Sequence, residues 1–333
     1  MEYDNDIITC FEKWDYDKLN EIKNLPSLPK SVKIITDKII IEKEEIYEGK
    51  LDYIRIHYST KKGFKEGRVY GNIVVKSKTE EEKKEGEWKS GGSSLQGIHS
   101  WIKRMVCYPF YYDFDISNCA PTLLSQILKE YNLCPNELIN YINNREALFI
   151  KYSEKLNISK DEVKKGFLSI LHMGNSEYSF QIPEINKLKN SLFKSLELLS
   201  NVNDYYKNLY IESSITKRKN KKRKINKDIK INNNNKSYDN KMGRFCARVW
   251  QIKENLILMK IRNYFINIGY SPFNMVLCFD GIMIEKNNSL LLPNLNDLEL
   301  FIKNETGFII NIKQKSLEPT IEDLSLFNLY NKK

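Results

Sequence analysis

Apolar positions along the chain recur at two spacings, and the change from one to the other divides it into elements. Two aromatic and β-branched runs, Tyr53 to Tyr58 and Val69 to Val75, flank a basic, glycine-containing turn and predict a hairpin. Met275 to Lys286 predicts a second hairpin, with Asp280-Gly281 as its tight turn. Between them, the aromatic run that starts at Tyr111 is strand-forming, delivers Asp113 and Asp115 and then stops; after the second hairpin, Gly307 to Lys313 is a further strand. Helical periods cover Pro121 to Tyr131, Pro135 to Asn143, Pro183 to Leu199, Gly243 to Ile268, Asn296 to Lys303 and Glu318 to Leu329. Ser159 followed by Glu162 is a capping-box spacing, and it opens a helix that runs to about Met173, with Gly174 as its terminator. Within Ser93 to Val106, the side chains of Trp101, Met105 and Val106 suit a core, with Lys103 and Arg104 on the other side. Residues 1 to about 50 carry helical spacing, and Ile39 to Ile46 suits a strand or a helix. From Ser213 to Asn240 the period vanishes, which predicts a disordered Lys/Asn-rich insertion. Together these elements make an α+β chain built on a mixed sheet.

Composition adds limits. The 333 residues suffice for one large or two medium domains, and a 41% hydrophobic content supports a real core. The net charge is +10, but nine Lys/Arg against one Asp between Lys217 and Lys230 supply eight of those charges. Such a run is a solvated loop, a contact for a phosphate backbone, or both; it also matches a nuclear localisation pattern. Six single cysteines without a CxxC pair, and three histidines, argue against a structural zinc site and fit a reducing intracellular compartment. No secretion signal and no apolar run of membrane-spanning length is present.

The candidate chemistry centres on Tyr111 to Leu124, where Asp113 and Asp115 stand at the end of a strand and a helix follows directly. A strand end is a good place to present a carboxylate to a metal ion. Asp280 offers a second carboxylate from a separate hairpin, and two such groups can bridge two divalent ions roughly 3.5–4 Å apart. Lys165, on the helix after Ser159, is placed to hold a phosphate. Arg244, Arg248, Gln251 and Asn255 recur as one polar stripe, facing either solvent or a nucleic-acid groove.

In that order, the motifs resemble the family A nucleic-acid polymerases, in particular divergent viral and mobile-element forms. The resemblance covers roughly Gly67 to Lys313. Gly67-Arg68-Val69-Tyr70-Gly71 with Ser94-Leu95-Gln96 is similar to the segment that touches template and primer, and Asp115-Ile116-Ser117-Asn118 to motif A. Lys165 to Gly174 keeps the Lys-x8-Gly spacing of motif B, Arg248 and Gln251 match a primer–template helix, and Asp280 stands in motif C. The resemblance implies a right-hand fold with an antiparallel-sheet palm, helical fingers and a reduced thumb. Its divisions are residues 1–92 (thumb), 93–156 (palm with motif A), 157–242 (fingers) and 243–333 (palm with motif C). It implies a DNA polymerase extending a primer–template with dNTPs, as a monomer with two Mg2+ or Mn2+ ions, inside the cell, at the nucleus or a viral replication site. Asp115, Asp280 and Lys165 would be catalytic. Asp115 and Asp280, with Asp113, would hold metal, Asp115 being preferred over Asp113 for its Asp-x-Ser match. Lys165, Lys164, Lys160, Ser169 and Asn118 would bind nucleotide; Arg68, Gln96, Arg244, Arg248 and Gln251 would bind nucleic acid. The chain departs from the pattern at Ala120, Asp161, Ser169, Met173 and Phe279. Those departures keep two alternatives open, a primer- or RNA-synthesising form and a catalytically decayed nucleic-acid binder; the Asp pair by itself also permits a metal-dependent nuclease, which leaves the Lys165 helix unexplained.

Overall fold

The computed structural model describes residues 7–30, 32–33, 36, 52–60, 66–75, 89–176, 178, 181–213 and 240–332. The segment Ile39 to Ile46, residues 214–239 of the Lys/Asn-rich stretch and most of the basic turn after Thr60 lie outside them. The chain forms two compact units, one of residues 1–119 and 252–333 and the other of residues 120–251.

The first unit holds two antiparallel four-stranded sheets. One is β1 (Ile8–Lys13), β2 (Tyr53–Thr60), β3 (Val69–Val75) and β4 (Lys89–Ser93), paired in sequence order. β1 was not expected, since residues 1 to about 50 carry helical spacing. Helix geometry begins only at α1 (Tyr16–Lys23), where the Asp15 side chain accepts from the Lys18 N–H as N-cap. Before it, pairing with β2 from Ile8 opposite Tyr58 to Lys13 opposite Tyr53 decides the conformation, a case of tertiary context overriding local pattern.

The second sheet follows α2 (Ser100–Cys107). It consists of β5 (Tyr111–Ile116), β6 (Met275–Leu277), β7 (Gly281–Glu285) and β8 (Ile312–Lys315), in the order β6-β7-β5-β8. Phe114 and Ile116 bury one face of β5, and the Phe114 ring lies 5.2 Å from that of Phe265. Before β8 comes α9 (Leu295–Thr306), where Gly307 takes φ 78° as the left-handed helix cap. The chain therefore joins the sheet only at Ile312, later than the strand expected from Gly307. α10 (Ile321–Tyr330) closes the unit, and Asp323 at its start is held by Arg104 of α2 at 2.5 Å.

The two sheets of this unit are tied by backbone and by buried polar groups. The Phe11 N–H donates to the Phe273 carbonyl at 2.8 Å, and the Lys13 N–H to the Tyr111 hydroxyl at 2.5 Å. Gln96 is a clasp: its amide nitrogen donates to the Val69 and Leu277 carbonyls at 3.0 and 2.6 Å, and its oxygen accepts from the Gly71 N–H at 3.0 Å. Glu12 is fully buried and accepts from the Tyr58 hydroxyl at 2.6 Å and the Leu95 N–H at 2.7 Å. Burial pushes its carboxyl from 4.5 up to about 7, against both hydrogen bonds. A carboxyl raised in the folded state stabilises fully below pH 4.5 and loses that contribution as pH rises through about 7. Its share is on the order of 3 kcal/mol at most. Urea unfolding of the wild type should therefore show stability falling across this window, and Glu12→Gln should flatten the fall. An unchanged slope in the variant would place the titration elsewhere.

The second unit is helical: most of α3 (Cys119–Glu130), then α4 (Asn136–Leu156), α5 (Lys160–Leu171), α6 (Pro183–Leu199), α7 (Asp204–Glu212) and the start of α8 (Lys241–Asn267). The capping box at Ser159 and Glu162 forms as its spacing predicts. Within its core Tyr141 stacks on Phe167, and Phe149 packs against Phe167 at a tilt. α5 ends differently from expectation. Met173, not Gly174, takes the left-handed conformation at φ 52°, and a Cβ on Gly174 would sit 2.8 Å from Ser169 Oγ. The glycine is needed for close approach. Among the described residues no helix is long and apolar enough to cross a membrane.

Candidate functional site

The site grows out of one pairing register in the second sheet. Asp115 stands opposite Gly281, and Asp113 opposite Met283. Successive strand residues alternate in face, so Asp113 and Asp115 leave the sheet on the same side. A Cβ at position 281 would lie 2.4 Å from the Phe114 carbonyl oxygen and 3.2 Å from Asp115 Cα. Only glycine lets β7 approach β5 this closely, and the approach brings the next residue, Asp280, beside Asp115. The Ile116 N–H donates to the Asp280 carbonyl at 2.8 Å and fixes that neighbour relation.

The hairpin turn is shifted by one residue from the sequence expectation. The Cys278 and Gly281 backbones bond each other at 2.9 and 3.1 Å, so Phe279 and Asp280 form the two-residue loop and Gly281 belongs to the strand. Phe279 takes φ 58°, where a primed turn favours glycine. A bulky residue there is strained and must be held by its surroundings. Its ring lies 4.6 Å from the Arg68 guanidinium and 5.5 Å, edge-on, from Tyr70. Arg68 is itself gripped by the fully buried Glu254 of α8, through Nε and through Nη2 at 2.7 Å. The chain Glu254–Arg68–Phe279 thus braces the turn that carries Asp280.

The charge balance is acidic at the centre with lysines beside it. Burial raises the Asp280 carboxyl above its ordinary range, and the charge of Asp115 adds to the rise. Asp113 is also raised, by burial, against the pull of Lys103 and Lys315. Lys315 Nζ lies 2.5 Å from Asp115 Oδ2. Burial weakens the charge on Lys103, yet Asp113 and Asp115 are among the groups whose fields carry its pKa above the usual lysine value. Lys103 was expected on the side of its helix away from Trp101, Met105 and Val106; it is half-buried, within the fields of Asp113 and Asp115. Lys103, Lys315 and Glu254 are the residues that local sequence pattern did not single out, because only the packing of α2, β8 and α8 against β5 and the turn selects them.

Among the described residues no group of three or more His, Cys, Asp or Glu side chains is arranged to hold a metal ion. A two-carboxylate pair is still a chemically sound donor set for a Mg2+-type cation. Such ions bind one or two protein carboxylates and complete their shell with water and substrate phosphate. The Asp280 carboxyl, raised by burial and then by the charge of Asp115, is the kind of group whose charged form a cation favours.

The remaining sequence candidates are distributed as follows. Asn118, just after β5, takes φ 52° at the strand-to-helix junction. Ser169 donates to the Asn175 carbonyl at 2.9 Å and closes the end of α5. Lys160 and Lys165 are exposed and Lys164 is half-buried, all in the helical unit. In that unit Arg244 donates to the Ser213 carbonyl at 2.6 Å, Arg248 pairs with Glu212 at 2.9 Å, and Gln251 is half-buried.

No family model and no solved structure matches the chain. The chain is similar to the Sputnik virophage protein "Putative helicase V13", with 28% identity over 241 residues. The match covers 72% of this chain and 29% of that protein, so the chain spans less than a third of the length of its relative. This finding overturns the resemblance to family A polymerases. With it go the DNA polymerase function and its primer-synthesising and decayed-polymerase alternatives; the similarity points to nucleic acid, and nothing in it speaks for a primer–template or dNTPs. The physical reason lies in the motifs. Each is short, and several of its residues meet needs of the fold: Gln96 clasps two sheets, Arg68 braces a turn, Ser169 ends a helix. Strand ends and tight turns select Asp, Asn and Gly in many folds.

Proposed function

We propose that the chain is an enzyme acting on nucleic acid in the setting of duplex unwinding, with hydrolysis at phosphate as its chemistry. The observation that carries the reading is the Asp115–Asp280 pair, forced together by Gly281 and flanked by Lys315 and Lys103. The similarity to a protein that bears a helicase name supports nucleic acid as the substrate class. The sequence has no Gly-x4-Gly-Lys-Ser/Thr phosphate loop, so nucleotide would not be held in that cradle. Asp115 and Asp280 would hold a Mg2+ or Mn2+ ion, with Asp113 as an adjacent carboxylate. The bound ion supplies Lewis-acid polarisation of a phosphate oxygen. Lys103 balances the negative charge of Asp113, and the braced turn keeps Asp280 in place without reorganisation.

The test is a purified full chain given labelled single- and double-stranded DNA and RNA, with and without ATP. Strand separation, backbone cleavage and phosphate release are followed in Mg2+ and in EDTA. Mg2+-dependent turnover that EDTA stops is expected. Absence of nucleic-acid binding, or turnover indifferent to EDTA, would sink the reading.

A further inference from the structure

We infer that Lys315 is a built-in counter-ion of the carboxylate pair: it yields Asp115 to an arriving divalent cation and then offers its ammonium to the substrate phosphate. This rests on the cation centre proposed above.

The geometry has three parts. Lys315 Nζ sits 2.5 Å from Asp115 Oδ2, on a carboxylate oxygen that a cation would also need. An ammonium and a divalent ion on one carboxylate repel strongly, so occupancy by one disfavours the other. The two partners are also unequally fixed: the Lys315 side chain is 55% exposed and that of Asp115 21%. Among the described residues β8 is an edge strand of the sheet, and Lys313, Gln314 and Lys315 are all exposed. A lysine on such an edge swings on a flexible four-carbon stem without disturbing the core. Finally, the pairing register puts Lys315 opposite Asp113 and Lys313 opposite Asp115, so the bond to Asp115 is a diagonal one. A displaced ammonium therefore stays within a side-chain length of the centre, where substrate phosphate would lie. Lys103, more enclosed, remains to balance Asp113.

Mn2+ binding to the full chain, read by calorimetry and by the loss of the free-ion electron paramagnetic signal, tests this without any turnover. Lys315→Met should bind Mn2+ roughly two- to fivefold more tightly than the wild type, the range expected for removing a half-exposed competing charge. Lys315→Arg, which keeps the charge, should stay near the wild type. With Mn2+ bound, Lys315→Met should also flatten the salt dependence of binding to a single-stranded DNA oligonucleotide by about one phosphate contact. Equal Mn2+ affinity in wild type and Lys315→Met, with binding still lost in Asp280→Asn, would overturn the counter-ion role and leave the cation centre standing. Mn2+ binding indifferent to Asp280→Asn would overturn the centre itself, and this role with it.

Discussion

Asp280→Asn is expected to remove cation-dependent turnover while leaving the fold intact. The loss should be on the order of a hundredfold or more, since even groups one shell out from a metal are worth 10–100-fold. Stability should move the other way. Burial and the neighbouring Asp115 raise the Asp280 carboxyl, so its charged form is disfavoured in the folded protein. The neutral amide relieves that repulsion, and the melting temperature at neutral pH should hold or rise. This pairing of lost activity with kept or gained stability is what a site strained for function predicts. Turnover at the wild-type rate in the variant would remove Asp280 from the centre.

The second large effect is on stability. Arg68→Met should destabilise the protein by about 3 kcal/mol or more, because it leaves the buried Glu254 carboxylate without its bidentate partner. Burial already raises the Glu254 carboxyl, and losing the arginine removes the main force that opposes the rise. Adding Glu254→Leu should recover most of the loss, since a pair replaced by apolar groups is often neutral where a broken pair is costly. The double variant should still be impaired at the site, as Phe279 loses the guanidinium 4.6 Å from its ring. Denaturant unfolding of the single and double variants checks this. A single-variant loss below about 1 kcal/mol would mean that the pair contributes no more than a surface ion pair.

How much of this was legible before the fold was known differs by residue. Both hairpins (the second apart from the placing of its turn), the capping box at Ser159 and the helix from Pro183 to Leu199 were readable, because each depends on contacts between near neighbours in sequence. Asp115 and Asp280 could be nominated as a pair from their strand-end and turn positions. The polymerase resemblance failed at the next step, where short motifs were given family roles that their residues do not carry alone. Gln96 and Ser169 illustrate the failure, since each side chain has hydrogen bonds within the fold.

By itself the sequence determined the element types from Tyr53 onward in the main, the carboxylate candidates and the uneven charge. Those follow from period, turn chemistry and composition, which act locally along the chain. Tertiary structure alone decided that β1 is a strand, that Gly281 is a point of close approach, and that Lys315 and Lys103 neighbour the acidic pair. It also decided that Arg68 serves Glu254. Each of these depends on partners far away in sequence, 186 residues apart for Arg68 and Glu254, and no local pattern encodes a register or a pairing over that separation.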